Sequence, residues 1–552
     1  MFDIIREAPL GMIVNRLTGD RVFRHPEDAP GFEWIPRSLK FVEKRIPTQS
    51  VVDESLAVTP ASTKSETIVD QTDVLDQLDP LTVVDWYDDN DPDDPYNWSM
   101  LKKCFVAGQI MLMTFAVYGG SSIYTSSIPG IMERFNVGVV TGTAGLSLYV
   151  LGYSFGPMLL APLQELPKYG RNPIYMASLF IYIGFVIASA VASNIETILV
   201  ARFFAGFFGS PVLATGAASI ADVFGNKPLI VPAAVGLYAI GAVLGPTLTP
   251  FIGGYAAMRF GWTAPNWILA GVSGFAFIVL FVFFPETHRP NVLYRRSRRL
   301  RRVTGNPKLV PRQAGSGKKL SVKETLWLPI GISLEPAPLL LGIYLGFVYA
   351  LFYLFFESFP LVFGNIYGFN LGEQGLAFLG YLVTAFFTYT SYVLYLRYRI
   401  RPLSDSGHMT PEDRLEIGLI ASTLIPVSTL IYGWTARESV HWIVPVIGAS
   451  LYLPGVYLIF QSILIYVGTS YATFAASAMA GNTLLRSVIA SVFPLFGHAF
   501  YENLGLGPGS TLLAGISIIL IVPLWLIKRH GATLRAKSKY SDYDPNTVVT
   551  AH

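Results

Sequence analysis

Apolar stretches parted by short polar breaks run through most of this chain, and their length decides its class. Twelve of them lie near the ~20 residues that a helix needs to cross a bilayer. They fall at roughly residues 103–124, 141–163, 172–192, 196–220, 229–254, 265–284, 338–361, 374–396, 415–433, 441–467, 473–499 and 509–528. A break of about fifty residues parts the sixth from the seventh, and the other breaks are short. The pattern predicts an all-α membrane protein of twelve spans in two six-helix halves. It divides the chain into a tail at 1–100, a first half at 101–285, a basic middle segment at 286–335, a second half at 336–530 and a tail at 531–552.

The first hundred residues are polar. Within them Leu10, Ile13, Val14 and Leu17 have helical spacing, and Pro9 is placed to open a short amphipathic helix that Gly11 weakens. A loose stretch is expected from about residue 50 to 73. The acidic run at 85–99, D-W-Y-D-D-N-D-P-D-D-P-Y-N-W-S, reads as a solvated linker. Its Asn97-Trp98-Ser99 is a glycosylation sequon, which a cytosolic tail never presents to the enzyme.

Composition narrows the class. Only 14% of the 552 residues are charged, where a soluble chain carries about a quarter, and the mean hydropathy is +0.46. A net charge of +3 implies no nucleic-acid partner. The single Cys104 forms no internal disulfide, and neither a metal site nor a cofactor is indicated. The opening M-F-D-I-I-R-E is too charged for a secretory leader. Gly315-Ser-Gly-Lys318 hints at a nucleotide loop, but Arg312 and Lys319 stand where such a loop needs Gly and Ser or Thr. No His-Glu-x-x-His or Gly-x-Ser-x-Gly is present, so an enzyme is not expected. Positive charge orients the spans. The middle segment holds twelve Lys and Arg between Arg289 and Lys323, and breaks of the same parity add Lys168, Arg171, Lys227, Arg397, Arg399, Arg401 and Arg414. The opposite parity offers only Arg134, Arg259 and Arg437, so both termini are expected in the cytosol.

The fifth stretch, V-P-A-A-V-G-L-Y-A-I-G-A-V-L-G-P-T-L-T-P-F-I-G-G, carries glycine and proline that a soluble helix would not tolerate. Gly241 and Gly245 share one face, bare enough for a neighbouring helix to press against, and Pro246 and Pro250 are expected to bend the span. Pro250-Phe-Ile-Gly253 is echoed by Pro494-Leu-Phe-Gly497 at the equivalent place in the second half.

Charge inside a span costs about 2.5–3.5 kcal/mol on insertion scales and rarely faces lipid. Three such residues stand out: Arg202 in the fourth span, Glu357 in the seventh and Arg486 in the eleventh, one turn after Asn482. Each admits a second reading as a hydrogen-bonding group that ties helices together. Arginine does not titrate at working pH, so Glu357 is the candidate proton carrier and Arg202 a fixed charge that responds to it. The seventh span carries Tyr344, Phe347, Tyr349, Phe352, Tyr353, Phe355 and Phe356 around its whole circumference. An apolar aromatic cavity with few polar anchors suits bulky, flat, weakly charged molecules. The neutral anchors are Gln109, Gln461 and Asn482, and with Tyr238, Phe355, Glu357 and Arg486 they form the expected substrate-binding set.

These residues carry a resemblance. The chain resembles the fungal twelve-span drug:proton antiporters of the major facilitator superfamily, close to the multidrug pumps that export fluconazole. The likeness rests on D-D-N-D-P-D-D-P-Y-N-W-S-M-L-K-K, A-T-G-A-A-S-I-A-D-V-F, P-E-T-H-R-P-N-V-L-Y-R-R-S-R-R-L-R, Y-L-F-F-E-S-F-P and R-S-V-I-A-S-V-F-P-L-F-G. It implies proton-driven export of a small hydrophobic or aromatic substrate by a plasma-membrane monomer. It places the family's fourth-span arginine on Arg202 and its conformational seam on Gly241, Gly245, Pro246, Gly253 and Gly254. It implies a cytosolic gate at Glu165, Gly170, Arg171 and Asp222. The loop after the second span departs from the usual G-x-x-x-D-x-x-G-R: it reads P-L-Q-E-L-P-K-Y-G-R, leaving open whether Glu165 replaces the aspartate. A dedicated exporter of one fungal toxin shares the same motifs, and a transporter-like nutrient sensor is the remaining alternative.

Overall fold

The computed structural model describes residues 2–19, 21–28, 32, 82–225, 230–312, 322–407, 409–471 and 474–541. The stretches at 50–73 and 315–318 lie outside the described residues. Among the described residues twelve helical segments are long and apolar enough to cross a membrane. We call them spans one to twelve: Met100–Phe135, Val139–Glu165, Asn172–Ala190, Ile195–Phe224, Ile230–Phe260, Ala264–Phe283, Pro336–Ile366, Leu371–Asp405, Pro411–Thr435, Ile443–Ser470, Ser477–Leu504 and Leu506–Ala536.

Local chemistry sets several boundaries. The Ser99 side chain accepts from the Lys102 amide to open span one, and Asn194 accepts from Thr197 to open span four. Asn370 and Glu373 form a reciprocal capping box at span eight. Span one tightens from α-helix to 3-10 helix over Ile123–Ser127. Span five runs through Pro246 and Pro250 as one continuous helix. Spans one and eight extend well past their apolar stretches, because a helix can continue into polar sequence once it has left the hydrocarbon.

Twelve crossings put the described residues before span one, those after span twelve and those between spans six and seven on one side, here called the termini face. Span seven is the axis of the fold, with 83% of its apolar window buried, against 33–61% for the others. Its ring of aromatics is covered on all sides by protein rather than divided between lipid and interior. The Pro-x-x-Gly echo has a structural counterpart. Gly253 leaves room for Ile123 on span one, and Gly497 leaves room for Leu354 and Glu357 on span seven, so each glycine seats the first helix of its own half.

The acidic run at 85–99 is not the solvated linker that its charge predicts. The basic middle segment forms a helix, α3 (Arg289–Thr304), after α1 (Phe2–Glu7) and α2 (Pro9–Thr18) near the start of the chain. Arg296 of α3 is wholly buried. It pairs with Asp91 at 2.6 Å, Asp93 at 2.8 Å and Glu27 at 3.4 Å, under the rings of Tyr87 and Trp86. Arg289 holds Asp94 in a two-pronged contact at 2.9 and 2.7 Å, and Arg6 reaches Asp93 at 3.0 Å. Strand β1 (Val83–Val84) pairs in parallel with β2 (Val310–Pro311) beside them. Opposite charges far apart in sequence thus clasp the N-terminal segment to the middle segment. The Pro9 helix forms as its spacing predicts. Gly11 is required there, since a Cβ would run into the backbone at Ile5.

Candidate functional site

Near the face opposite the termini, Arg202 is buried with no carboxylate partner among the described residues. Its Nη1 donates to the Gly120 carbonyl at 2.7 Å, Nη2 to Ser121 at 3.3 Å and Nε to Gly145 at 3.2 Å. The span-one carbonyls sit beside the change to 3-10 helix, where the regular ladder weakens and an outside donor is best placed. Tyr124 and Tyr149 stack on the guanidinium at 4.6 and 4.2 Å. Gly120 and Gly145 have no side chain because these tyrosine rings occupy the space where one would sit.

Glu357 lies on the other flank of span two. It is buried against Gly497 and faces the Thr143 hydroxyl without closing a hydrogen bond. Among the described residues no hydrogen bond or ion pair joins Arg202 to Glu357. The end of span two stands between them, with Gly145 on the arginine and Thr143 toward the glutamate.

At mid-depth the two halves meet through hydroxyls. Tyr153 of span two is 2.7 Å from both Tyr349 and Tyr353 of span seven, and Tyr353 also reaches the Ser121 hydroxyl at 3.4 Å. Ser121 is the residue whose carbonyl accepts from Arg202, so a polar chain runs from the arginine to the midplane. Arg486 flanks the same tyrosines. Its guanidinium lies over Tyr349 at 5.3 Å and Phe460 at 4.9 Å, and it faces the Tyr118 hydroxyl of span one. Asn482 is buried one turn away with both amide atoms unpartnered.

The other anchors divide. Gln461 lies beside Tyr457, whose hydroxyl donates to the Gly236 carbonyl of span five at 2.8 Å, again across the halves. Gln109 does not join this group: its amide donates to the Phe283 carbonyl at 3.3 Å, in the seam between spans one and six. Phe355 packs with Phe359, Tyr432 and Tyr452 inside the second half. Tyr238 fills the space left by Gly216 and donates to the Val212 carbonyl of span four at 2.9 Å.

The glycine seam has two partners. A Cβ on Gly245 would lie 2.8 Å from the Gly119 amide and 2.9 Å from the Phe115 carbonyl, and one on Gly241 would meet Met111 at 2.9 Å. Together with Gly253 these two press span five onto span one, and Pro246 is buried between them. Gly254 belongs to a different contact, against the Leu371 backbone at the start of span eight. Span five therefore touches the second half near both ends, through Gly254 at one and Gly236 at the other.

At the termini face Arg171 pairs with Asp222 at 2.7 Å and donates to the Thr215 carbonyl at 3.1 Å. Glu165 is exposed and makes no hydrogen bond or ion pair at contact distance among the described residues, though Arg171 and Asp222 are its charged neighbours. Pro167 stands at that position of the motif, and its carbonyl accepts from Asn291 at 2.7 Å. The carboxylate that braces the turn is Glu286, which accepts from the Arg171 amide at 3.0 Å and from the His288 amide at 3.0 Å and pairs with Arg295 at 3.2 Å. Gly170 has φ +74°, and a Cβ there would lie 2.5 Å from the Glu286 carboxyl. Only glycine meets both conditions.

Residues 110–494 match the family model of the Major Facilitator Superfamily. The chain belongs to that superfamily. It is 40% identical over 473 residues to Transporter mfs1 of Schizosaccharomyces pombe, covering 84% of this chain and 89% of the relative. It is 39% identical over 478 residues to Fluconazole resistance protein 1 of Saccharomyces cerevisiae, covering 85% and 86%. A crystal structure of the human organic anion transporter MFSD10 (TETRAN) superposes with a TM-score of 0.54 over 76% of this chain and 99% of that one, at 17% identity, a likeness of fold alone. Membership makes this facilitator a multi-pass membrane transporter rather than an enzyme. Three of its contacts escaped the sequence reading: the tyrosines joining the halves, Glu286 within P-E-T-H-R, and a second small-residue face at Gly342 and Gly346 of span seven, set against Leu485 and the Arg486 backbone. Only the last had a usable signal, the four-residue glycine spacing.

Proposed function

We propose that this facilitator is a secondary active efflux transporter that exports hydrophobic aromatic drugs or toxins, azoles among them, in exchange for protons. The observation that carries the reading is the junction of the halves at mid-depth. Arg486, without a carboxylate partner among the described residues, a tyrosine cluster and aromatic walls lie there on helices that must part for a cargo to pass, and Ser121 links them to Arg202. Identity to a fluconazole resistance protein supports drugs as the cargo. Glu357 supports proton coupling, being the one Asp or Glu more than two turns from a span end among the described residues. Arg202 is the fixed charge on the other flank of span two.

In this reading the substrate meets Arg486, Asn482, Gln461 and the tyrosines at mid-depth, while Tyr238, Phe355 and Gln109 shape the helices behind them. Gly241, Gly245, Pro246 and Gly253 let spans one and five slide, and Gly254 closes the halves opposite the termini. Gly170, Arg171 and Asp222 brace the termini face. The protein acts as a monomer in the plasma membrane with both termini in the cytosol, in keeping with the excess of Lys and Arg on that side. The test is growth: the chain is expressed in a yeast lacking its own pumps and scored on azoles, cycloheximide, polyamines and aromatic toxins. Raised tolerance to hydrophobic aromatic compounds is expected. Sensitivity to every compound equal to that of the pump-lacking parent, with the protein at the surface, contradicts an export role.

A further inference from the structure

We infer that the subsite formed by Arg486 and Asn482 selects flat aromatic anions, carboxylates or phenolates, over cations of the same shape. This rests on the reading of the mid-depth junction as the transport site, and it names the class of cargo that site prefers.

The argument starts from what Arg486 lacks. It is buried, and no Asp or Glu pairs with it among the described residues. Glu357 is eight residues further along span seven than Tyr349, which is about 12 Å of helix. A guanidinium offers five N–H donors in a planar fork. Its faces are taken up by Tyr349 and Phe460, which cover a cation without satisfying its hydrogen bonds. Nε is buried with no acceptor, and the Tyr118 hydroxyl is one neutral neighbour. A planar anion with two oxygens fits the edge of that fork, where a cation is repelled.

Asn482 is the second, independent observation. It is 3% exposed, and neither its amide nitrogen nor its oxygen has a partner. It lies one turn from Arg486 on the same helix, facing Gly342 of span seven, where Leu485 packs beside it and no polar group of span seven meets its amide. An amide both donates and accepts, so it completes the recognition of a carboxylate or of a ring hydroxyl. The rings of Tyr349 and Phe460 that stack on the arginine also offer surfaces for an aromatic ligand.

The test uses purified full-length protein in nanodiscs at pH 7.5 and three isosteric probes: biphenyl-4-carboxylate, biphenyl-4-carboxamide and 4-(aminomethyl)biphenyl. Dissociation constants are measured by calorimetry, and fluconazole export by the same preparation in proteoliposomes is the control. The carboxylate should bind about tenfold or more tighter than the carboxamide, and the amine weakest. Arg486→Gln should bring the carboxylate down to the level of the carboxamide and change the carboxamide less than about threefold, while Arg486→Lys keeps part of the preference. Equal or weaker binding of the carboxylate by wild type overturns the inference. So does an equal loss of all three probes in Arg486→Gln, which marks a structural arginine. Fluconazole export without carboxylate preference sinks the inference and leaves the transport reading standing. Neither export nor binding of any probe sinks both.

Discussion

Arg202 shows how a single charge is kept inside a membrane. Three backbone carbonyls and two tyrosine faces replace the carboxylate that a buried cation ordinarily needs, and hydrogen bonds from a charged donor contribute about 1.5–3 kcal/mol each. Arg202→Ala should reduce efflux to background, because spans one, two and four lose their shared donor. Arg202→Lys should retain a fraction, since its single ammonium cannot reach all three carbonyls. Drug efflux from cells with matched surface expression decides this, and unchanged efflux in the alanine variant leaves Arg202 with no part in transport. This arginine was legible in sequence because charge in an apolar stretch stands out. Its partners were not, since backbone carbonyls leave no trace in residue identity. The tyrosines of the junction were hidden differently. Span seven is aromatic on every side, so no pattern separates Tyr349 and Tyr353, which meet span two, from Phe355, which faces inward.

Among the elements, span five and the clasp make opposite points. Gly241 and Gly245 announce a bare helix face, and the face exists. The identity of its partner, span one, depends on packing that spacing does not encode. Gly245→Leu places a branched side chain where the two backbones are already in contact, so turnover should fall about tenfold or more at comparable membrane abundance. Wild-type transport rates in that variant contradict a sliding contact. The clasp was misread because the acids at 85–99 meet their partner, Arg296, about two hundred residues later, and local charge alone reads as solvated. Removing the arginine takes from Asp91 its ion-pair partner among the described residues and leaves Asp93 with Arg6 and Glu27 with Arg299. Arg296→Ala should cost the N-terminal clasp about 3–5 kcal/mol, read as new protease cleavage before Trp98.

The clasp and its neighbourhood also fix the direction of a pH effect. Burial alone would raise the carboxyls of Asp93 and Glu27, but Arg296, and for Glu27 also Arg299, outweigh it and hold both below the usual range. Their contribution is complete above about pH 4.5 and is lost as pH falls further. His288 works at milder pH. Burial, then the charge of Arg171, push its imidazole down to about 3, so it stays neutral in the folded protein while an unfolded histidine takes up a proton below about pH 6.5. Stability should therefore fall by up to about 1.4 kcal/mol per pH unit between 6.5 and 3 on account of His288. In a thermal melt series from pH 7 to 5, His288→Gln should show a shallower decline than wild type. An identical slope contradicts the assignment.

For the whole molecule, the fold followed from the count and length of apolar stretches, the long middle break and the bias of Lys and Arg. Coupling did not follow, because it depends on what meets across the two halves. There Arg202 holds one flank of span two through the Gly145 carbonyl, Glu357 faces Thr143 on the other, and the tyrosine chain through Ser121 runs between the arginine and the midplane. In the proposed mechanism, movement of span two on cargo binding acts on Glu357, the one titratable carboxylate placed deep in a span among the described residues. The most direct measurement is drug accumulation in proteoliposomes under an imposed pH gradient, comparing wild type with Glu357→Gln, which keeps size and hydrogen bonding but holds the neutral state. Wild type should accumulate drug against its gradient, and the variant should only equilibrate it. Equal gradient-driven accumulation by both proteins would contradict proton coupling through Glu357.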